Sequence, residues 1–137
     1  LGSVSIGNNF RSMGILQLYA DNGKILIGDN CSFNINVQIG ASDGFINIGN
    51  DVLIGPNSVL RAATHKFDKI NKSINSQGHQ SGKIIIGNNV WISSNCVIST
   101  NVKIGDGCVI AAGSVVLNDT EPYHLYAGSP AIKKKSL

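Results

Sequence analysis

One histidine in the middle of the chain has the residue type and the surroundings for acid–base chemistry. His65 lies in a long polar stretch that is rich in Asn, Lys, Ser and Gly. An imidazole has an ordinary pKa of about 6.5, so it can take up or release a proton near neutral pH. Asp68 and His79 lie in the same stretch and are possible partners of His65 or of a substrate. The sequence therefore predicts a general base in this region.

A repeat of six residues surrounds this stretch and must position it. In the C-terminal half an aliphatic residue returns at every sixth place, and a small residue follows it four places later. A period of six matches neither a helix, at about 3.6 residues per turn, nor a single strand, which alternates roughly every second residue. It is typical of a parallel β-helix, in which each hexad forms a short strand and a corner. The two registers are Ile86, Ile92, Ile98, Ile104, Ile110, Val116 and Val90, Cys96, Val102, Cys108, Ser114.

The repeat is looser in the N-terminal half, and its register breaks at three places. Coils of a repeat protein contact only their neighbours, so function is expected where the register breaks. If the hexad continued beyond Leu60, Thr64 would point inward and His65 outward, at the mouth of the largest break. The breaks are a 21-residue step from Ile6 to Ile27, a nine-residue step from Ile39 to Ile48 and a 26-residue step from Leu60 to Ile86.

These patterns predict an all-β chain with a simple domain organisation. We expect a single β-helix domain over residues 1–137, with an excursion loop at about 61–83 and a C-terminal tail at about 119–137. Three hexads complete one triangular coil, so the body is a prism of about five to six coils with three parallel sheets.

Composition and cysteine usage exclude several classes of protein. The net charge is +3, with three lysines at 133–135 and no basic stripe interleaved with aromatic residues, so no nucleic acid is expected as a partner. No run of 18 apolar residues exists, so we expect no membrane span. Cys31, Cys96 and Cys108 fall on the small inward positions of the hexads, which favours buried, reduced thiols and a cytoplasmic protein. No signal peptide is visible, and buried thiols are poor candidates for a nucleophile or for metal ligands.

Four segments, in this order, resemble the hexapeptide-repeat acetyltransferases, in particular the galactoside, maltose and polysaccharide O-acetyltransferases. The segments are 63–68 (ATHKFD), 86–92 (IGNNVWI), 104–116 (IGDGCVIAAGSVV) and 127–131 (AGSPA). The resemblance implies a left-handed β-helix, a homotrimer and acetyl-CoA as the donor, with no metal. It also implies that His65 is the catalytic base, taking the proton from an acceptor hydroxyl that attacks the thioester directly.

The same resemblance implies a donor groove. Ser94 and Ala112 are one coil apart on one corner, where small residues would let an extended pantetheine lie along the axis, and the matching positions of the galactoside enzyme contact coenzyme A. Trp91 matches a tryptophan beside the donor site. Asn118 is also implied at the donor site. Asn118 and Ile132 depart from the family, which often has Lys or Arg there, so Lys135 or its two neighbours are expected to contact the phosphates.

Two residues are implied on the acceptor side. Asn34 aligns with a family asparagine that meets sugar hydroxyls, and Asp43 aligns with a family aspartate of similar role. Each also has a simpler interpretation as a corner or turn residue. The acceptor expected from the resemblance is a sugar or glycan hydroxyl, in the synthesis of cell-surface polysaccharide.

Other functions that occur on this scaffold need different residues. A γ-class carbonic anhydrase needs three histidines at coil spacing, and no histidine lies between residues 84 and 118. An ice-binding or scaffold β-helix would have a repeated threonine face and no large loop. An N-acetyltransferase acting on an amino or nucleotide sugar, or a xenobiotic acetyltransferase, shares both the scaffold and the base and stays open as an alternative.

Overall fold

Each hexad of the repeat forms a short strand followed by a corner, and successive strands wind around a triangular prism. The structure is a computed structural model and describes all 137 residues, Leu1–Leu137. Five coils are stacked, with an excursion between the third and the fourth. In chain order the elements are β1 Ser3–Ile6, β2 Arg11–Ser12, β3 Leu16–Tyr19, β4 Lys24–Ile27, β5 Ser32–Phe33, β6 Val37–Gly40, β7 Phe45–Ile48, β8 Leu53–Ile54, β9 Val59–Arg61, β10 Ala63–His65, the 3₁₀ helix Ile74–Gln77, β11 His79–Ser81, β12 Lys83–Ile86, β13 Trp91–Ile92, β14 Val97–Ile98, β15 Val102–Ile104, β16 Val109–Ile110, β17 Val115–Val116, β18 His124–Ala127 and β19 Ile132–Ser136.

Strands of successive coils pair in parallel and build three sheets. Sheet A contains β1, β4, β7, β12 and β15, sheet C contains β3, β6, β9, β14 and β17, and sheet B contains β2, β5, β8, β13, β16, β18 and β19. The excursion adds an antiparallel hairpin, β10 with β11. The prediction of an all-β, left-handed parallel β-helix with one large excursion is confirmed. No helix in the structure is long and apolar enough to cross a membrane.

The aliphatic register points into the prism and forms columns along its axis. On sheet A the ladder places Ile27 beside Ile48, Ile48 beside Ile86, and Ile86 beside Ile104, and all four are buried. Burying an isoleucine side chain contributes about 1.5–3 kcal/mol. The core is therefore a stack of isoleucines that the six-residue period predicts.

A ladder of Asn and Asp side chains at the A–B corner, where the chain turns from sheet A to sheet B, holds the coils in register. The side-chain oxygen of Asn50 accepts the N–H of Asp29 at 2.8 Å, and that of Asn88 accepts the N–H of Asn50 at 2.8 Å. Each ladder residue follows an Ile-Gly pair, because a Cβ on Gly49 would lie only 2.6 Å from Oδ1 of Asn88. The ladder consists of Asn8, Asp29, Asn50, Asn88 and Asp106.

Asparagine turns most of the corners. At the B–C corner, where the chain passes from sheet B to sheet C, φ is 58° at Asn36, 60° at Asn57, 57° at Asn95 and 73° at Gly113. Asparagine adopts this left-handed conformation more readily than most residues because its short amide bonds locally. The amide of Asn36 donates to Oδ1 of Asn57 at 2.9 Å, so the corner residues also connect the coils.

The extra residues of the first two coils lie at the C–A corner, where the chain passes from sheet C to sheet A. Residues 20–23 and 41–44 form matching turns, and the N–H of Asp43 donates to the carbonyl of Asp21 at 2.7 Å. The turns therefore stack on each other without disturbing the sheets. The excursion leaves the prism at this same corner, one coil later.

The excursion begins after Ala62, which fills the last inward position of its coil and is fully buried. The chain then enters the hairpin, which pairs Ala63 with Ser81. Thr64 is exposed on this hairpin. The expectation that Thr64 points inward is wrong, because antiparallel pairing takes the backbone out of the coil two residues earlier than the hexad implies.

The C-terminal end of the prism is closed by a different arrangement. Thr120 forms a last parallel bridge with Ile104, β18 adds to β16 in parallel, and β19 folds back antiparallel on β18. Tyr126 takes the inward position above Ile110, and its hydroxyl accepts the N–H of Glu121 at 2.9 Å.

The ladder at the A–B corner gives a test of the fold. We expect Gly49→Ala to lower the free energy of unfolding by about 1–3 kcal/mol, because the new methyl group overlaps the Asn88 amide. Urea denaturation followed by circular dichroism measures it. The control is Gly113→Asn, where the left-handed conformation suits asparagine and a Cβ meets nothing within 4 Å. If Gly49→Ala and the wild type were equally stable, the close packing of the Asn88 side chain against Gly49 would be contradicted.

Candidate functional site

Two histidines face each other at the base of the excursion. The hairpin pairs His65 on β10 with His79 on β11, and their ring centroids are 4.3 Å apart at an interplanar angle of 39°. Both side chains are exposed. Residues directly opposite in an antiparallel pair lie close enough for their side chains to interact, so His79 restricts the position of the His65 ring.

The two imidazoles line a cleft of about 280 Å³ at the C–A corner. Its lining is polar and contains no carboxylate, so the cleft suits a hydroxylated or anionic molecule. The lining residues are Gly40, Ser42, Arg61, Ala63, Thr64, His65 and His79.

Arg61, the last residue of β9, lines this cleft. Its guanidinium carbon lies 5.1 Å from the centroid of the Tyr19 ring, and Nη2 donates to Gln38 at 3.4 Å. The side chain passes over Gly40, where a Cβ would lie 2.5 Å from Nη1. The Tyr19 ring is held in turn, because its hydroxyl donates to Gln17 at 3.0 Å. No sequence motif indicates a role for Arg61. The feature of the sequence that could have found it is Gly40, one coil below in the same register.

The rest of the excursion forms a second cleft, of about 360 Å³. Gln77 organises it, accepting the N–H of Lys69 at 3.0 Å and donating to the carbonyls of Lys69 and Lys72 at 3.1 Å. Asp68 lines this second cleft and not the one with the imidazoles. Of the two possible partners of His65, the structure therefore brings His79 against it and leaves Asp68 apart.

The residues expected to bind the donor lie elsewhere on the prism. Ser94 and Ala112 are at the B–C corner of the fourth and fifth coils, Ser94 half-buried and Ala112 exposed. The N–H of Gly113 donates to the carbonyl of Ser94 at 2.9 Å. A Cβ on Gly113 would meet nothing within 4 Å, so this corner is open to solvent at Gly113.

Trp91 and Lys135 share the outward face of sheet B. The ladder runs from Trp91 to Val109, then to Leu125 and Lys135, and the Trp91 side chain is half exposed. Lys135 is exposed and belongs to no ion pair. An aromatic surface and a free ammonium group therefore stand on one face beside the B–C corner.

Lys133 is engaged by a neighbour, unlike Lys135. Its Nζ lies 2.8 Å from Oε2 of Glu121. This hydrogen bond holds the pKa of Lys133 above its ordinary value and the pKa of Glu121 below it. Both groups face solvent, where such a pair adds little stability. Of these two lysines, Lys135 is the one left available to an anionic ligand.

The remaining candidates divide between the two corners of sheet C. Asn34 follows β5 and lies at the B–C corner, two coils before Ser94. Asp43, at φ 53°, and Asn118 lie at the C–A corner, the side on which His65 lies. One chain thus has His65, Asp43 and Asn118 at one corner and most of the residues expected to bind the donor at the other.

The three cysteines are all free and buried, as the hexad positions predict. Burial raises the pKa of the Cys31 and Cys96 thiols above the ordinary value, which reduces their thiolate fraction at neutral pH. No group of three or more His, Cys, Asp or Glu side chains is placed to hold a metal ion. The imidazole pair is the arrangement in this chain suited to moving a proton.

A solved structure of a hexapeptide-repeat acetyltransferase from Vibrio cholerae, in complex with acetyl-CoA, decides the family. It matches this chain with a TM-score of 0.84 and 33% identity, over 97% of this chain and 70% of that one. The model of the bacterial transferase hexapeptide family (six repeats) matches residues 83–118. The chain belongs to the hexapeptide-repeat acetyltransferases.

Two relatives within this family carry named activities. The galactoside O-acetyltransferase of Escherichia coli K12 is 40% identical over 108 residues, which are 78% of this chain and 51% of that enzyme. A protein of the same strain, whose name assigns it to lipopolysaccharide biosynthesis as an O-acetyl transferase, is 32% identical over 143 residues, 97% of this chain and 72% of that protein. The chain thus spans about half the length of the galactoside enzyme.

The fold is also shared by an N-acyltransferase. The structure of that enzyme from Bacillus cereus, in complex with dTDP and coenzyme A, has a TM-score of 0.82 and 26% identity, over 97% of this chain and 73% of that one. Hydroxyl and amine acceptors therefore both occur among structures of this shape.

The buried thiols give a test that separates packing from chemistry. We expect Cys96→Ser to change the free energy of unfolding by only about 1 kcal/mol, because Ser58 and Ser114 hold the same inward position in the neighbouring coils. Val90→Ser, in a valine position, should cost at least about 2 kcal/mol. Alkylation of the native thiols at pH 8 should be slow and become fast in urea. Rapid alkylation of the folded protein would contradict the assignment of these thiols to buried packing positions.

Proposed function

We propose that this protein is an acetyl-CoA-dependent O-acetyltransferase that acts on a hydroxyl of a sugar or of a cell-surface polysaccharide precursor. The observation that carries the proposal is the His65–His79 pair, exposed in a polar cleft at the largest interruption of the coil stack. The O-acetyltransferases among its relatives support the reaction type.

His65 acts as the general base. An acceptor hydroxyl bound in the cleft gives its proton to the His65 imidazole as its oxygen attacks the acetyl carbon of the thioester. The C–S bond then breaks, and the His65 imidazolium returns the proton to the departing thiolate, which leaves as the free thiol of coenzyme A. The acetyl group passes directly to the acceptor, so no covalent acetyl-enzyme is required. His79 keeps the His65 ring in position. Holding the base and the acceptor together in this way removes a large part of the activation free energy of the transfer.

The B–C corner fits the donor. Ser94, Ala112 and the open space beside Gly113 leave room for an extended pantetheine chain. Trp91 offers a surface for stacking, and Lys135, on the same face, offers a charge for a phosphate group. Asn118 lies at the other corner, so it would contact a donor bound by a neighbouring subunit.

A homotrimer would complete the site. Within one chain His65 and the donor groove lie at opposite corners of sheet C, and a ring of three subunits would bring the C–A corner of one chain to the B–C corner of the next. Asn34 and Asp43 would then meet across the same interface and bind acceptor hydroxyls. The free, buried cysteines agree with a reducing compartment such as the cytoplasm.

There is a second candidate for the atom that accepts the acetyl group. The likeness to the Bacillus cereus N-acyltransferase supports an amine of an amino or nucleotide sugar as the alternative to a hydroxyl. The two differ in when the proton leaves, since a hydroxyl gives its proton to the base during the attack, whereas a neutral amine attacks first and loses its proton afterwards. Acceptor pairs that differ only in bearing OH or NH₂ at one carbon separate them.

The first functional test removes the base. We expect His65→Ala to lower kcat about 10²–10⁴-fold with little change in the KM for acetyl-CoA, because the residue takes a proton without binding the donor. Thiol release from acetyl-CoA over a panel of sugars and glycans measures it. His79→Ala should lower kcat less, since it positions the ring.

His124→Gln is the matched control, because this histidine bonds Pro122 and Ser136 near the C-terminus, outside the cleft. It should keep the wild-type rate. An unchanged rate in His65→Ala, with the fold intact by circular dichroism, would remove His65 from the mechanism.

The second functional test asks whether the site is shared between subunits. We expect His65→Ala and Ala112→Trp each to be inactive, the second because the indole fills the donor groove. Purified trimers that contain both chains should recover about one third of the wild-type activity, since one of their three interfaces combines two intact halves.

Co-expression with two different tags and tandem purification isolates the mixed trimers. The control is a mixture of two chains that both carry His65→Ala, which has no intact interface. A mixed trimer that stays inactive would mean that each chain contains its own complete site.

A further inference from the structure

We infer that the acceptor carries an anionic group, a carboxylate or a phosphate, and that Arg61 binds it beside His65. The inference rests on the proposed transferase function and specifies the acceptor that this function uses. It starts from the position of the guanidinium, which lines the same cleft as both imidazoles.

The guanidinium has no acidic partner in the chain. The ion pair that the structure contains is Lys133 with Glu121, near the C-terminus. Arg61 contacts the face of Tyr19 and makes one long bond to Gln38, at 3.4 Å. Five N–H donors with so few acceptors leave most of the fork free for a ligand. Asp43, an acid at the same corner, is exposed and does not line the cleft.

The side chain is held in place before any ligand arrives. The Tyr19 ring lies under the guanidinium, and the missing side chain of Gly40 makes the room that Arg61 occupies. An arginine stacked in this way loses little further freedom on binding, and its planar fork matches two oxygens of a carboxylate or phosphate. A lysine at this position would offer only a point charge.

The surroundings of the cleft carry a net positive charge, like the Arg61 guanidinium. The second cleft of the excursion is lined by Lys66, Lys69 and Lys72 against Asp68, three positive charges and one negative, for a net charge of +2. Clefts lined by one sign of charge concentrate ligands of the opposite sign and speed their approach. A neutral sugar would gain nothing from either feature, whereas a uronic acid or a sugar phosphate would gain from both.

The test compares acceptors that differ only in charge. We expect the wild type to use methyl glucuronide about 10–100-fold better in kcat/KM than methyl glucoside, as for one charge-assisted hydrogen-bonding site. Glucose 1-phosphate in the same assay separates phosphate from carboxylate recognition. In Arg61→Gln the preference should fall towards one through a higher KM for the anionic acceptor, with the KM for acetyl-CoA unchanged. Arg61→Lys should retain part of it.

Lys103→Gln is the matched control, because it removes one charge from the outward face of sheet A and should leave the preference intact. Equal use of charged and neutral acceptors by the wild type, or an equal loss on both in Arg61→Gln, would overturn the inference. Calorimetric titration of methyl glucuronide into the protein with coenzyme A tests the site without turnover. Binding that is lost in Arg61→Gln would support the anion site even if no thiol were released, a result that would count against the transferase function alone.

Discussion

The backbone hydrogen-bond register between successive coils is the constraint on which the rest of the structure depends. The N–H of Gly28 donates to Ile48, and that of Gly49 to Ile86, each at 2.9 Å. A residue added within a strand would turn the inward side chains outward, so additions are confined to a corner. Residues 20–23, residues 41–44 and the whole excursion lie at one corner. His65 and His79 lie there because that is where the fold can carry extra chain.

The sequence predicts most of the fold because each hexad position has one environment. An inward position must be aliphatic or small, so the isoleucine columns and the buried Cys96 could be read from the repeat. The orientation of the Thr64 side chain could not be read in this way. It depends on antiparallel pairing between β10 and β11, two strands that the 3₁₀ helix separates in the chain. Periodicity describes residues that repeat, and an excursion does not repeat.

The candidate site shows the same division between local pattern and long-range contact. His65 could be singled out by its residue type and its place at the largest break, and its pairing with His79 follows from hairpin register. Arg61 could not, because its position depends on Tyr19 two coils below and on the space above Gly40. The separation of His65 from Ser94 and Ala112 likewise depends on which corner each residue occupies, which is set by how the chain winds in three dimensions.

The strand β19 has a consequence for how copies of this protein behave at high concentration. A stack of parallel coils could in principle continue from one molecule into the next, as in a growing fibril, because its terminal strand leaves unpaired backbone groups. Here the final strand of sheet B runs antiparallel to its neighbour and carries Lys133, Lys134 and Lys135. Reversed direction and the positive charge of these lysines both oppose the addition of a strand from another copy at this edge of sheet B.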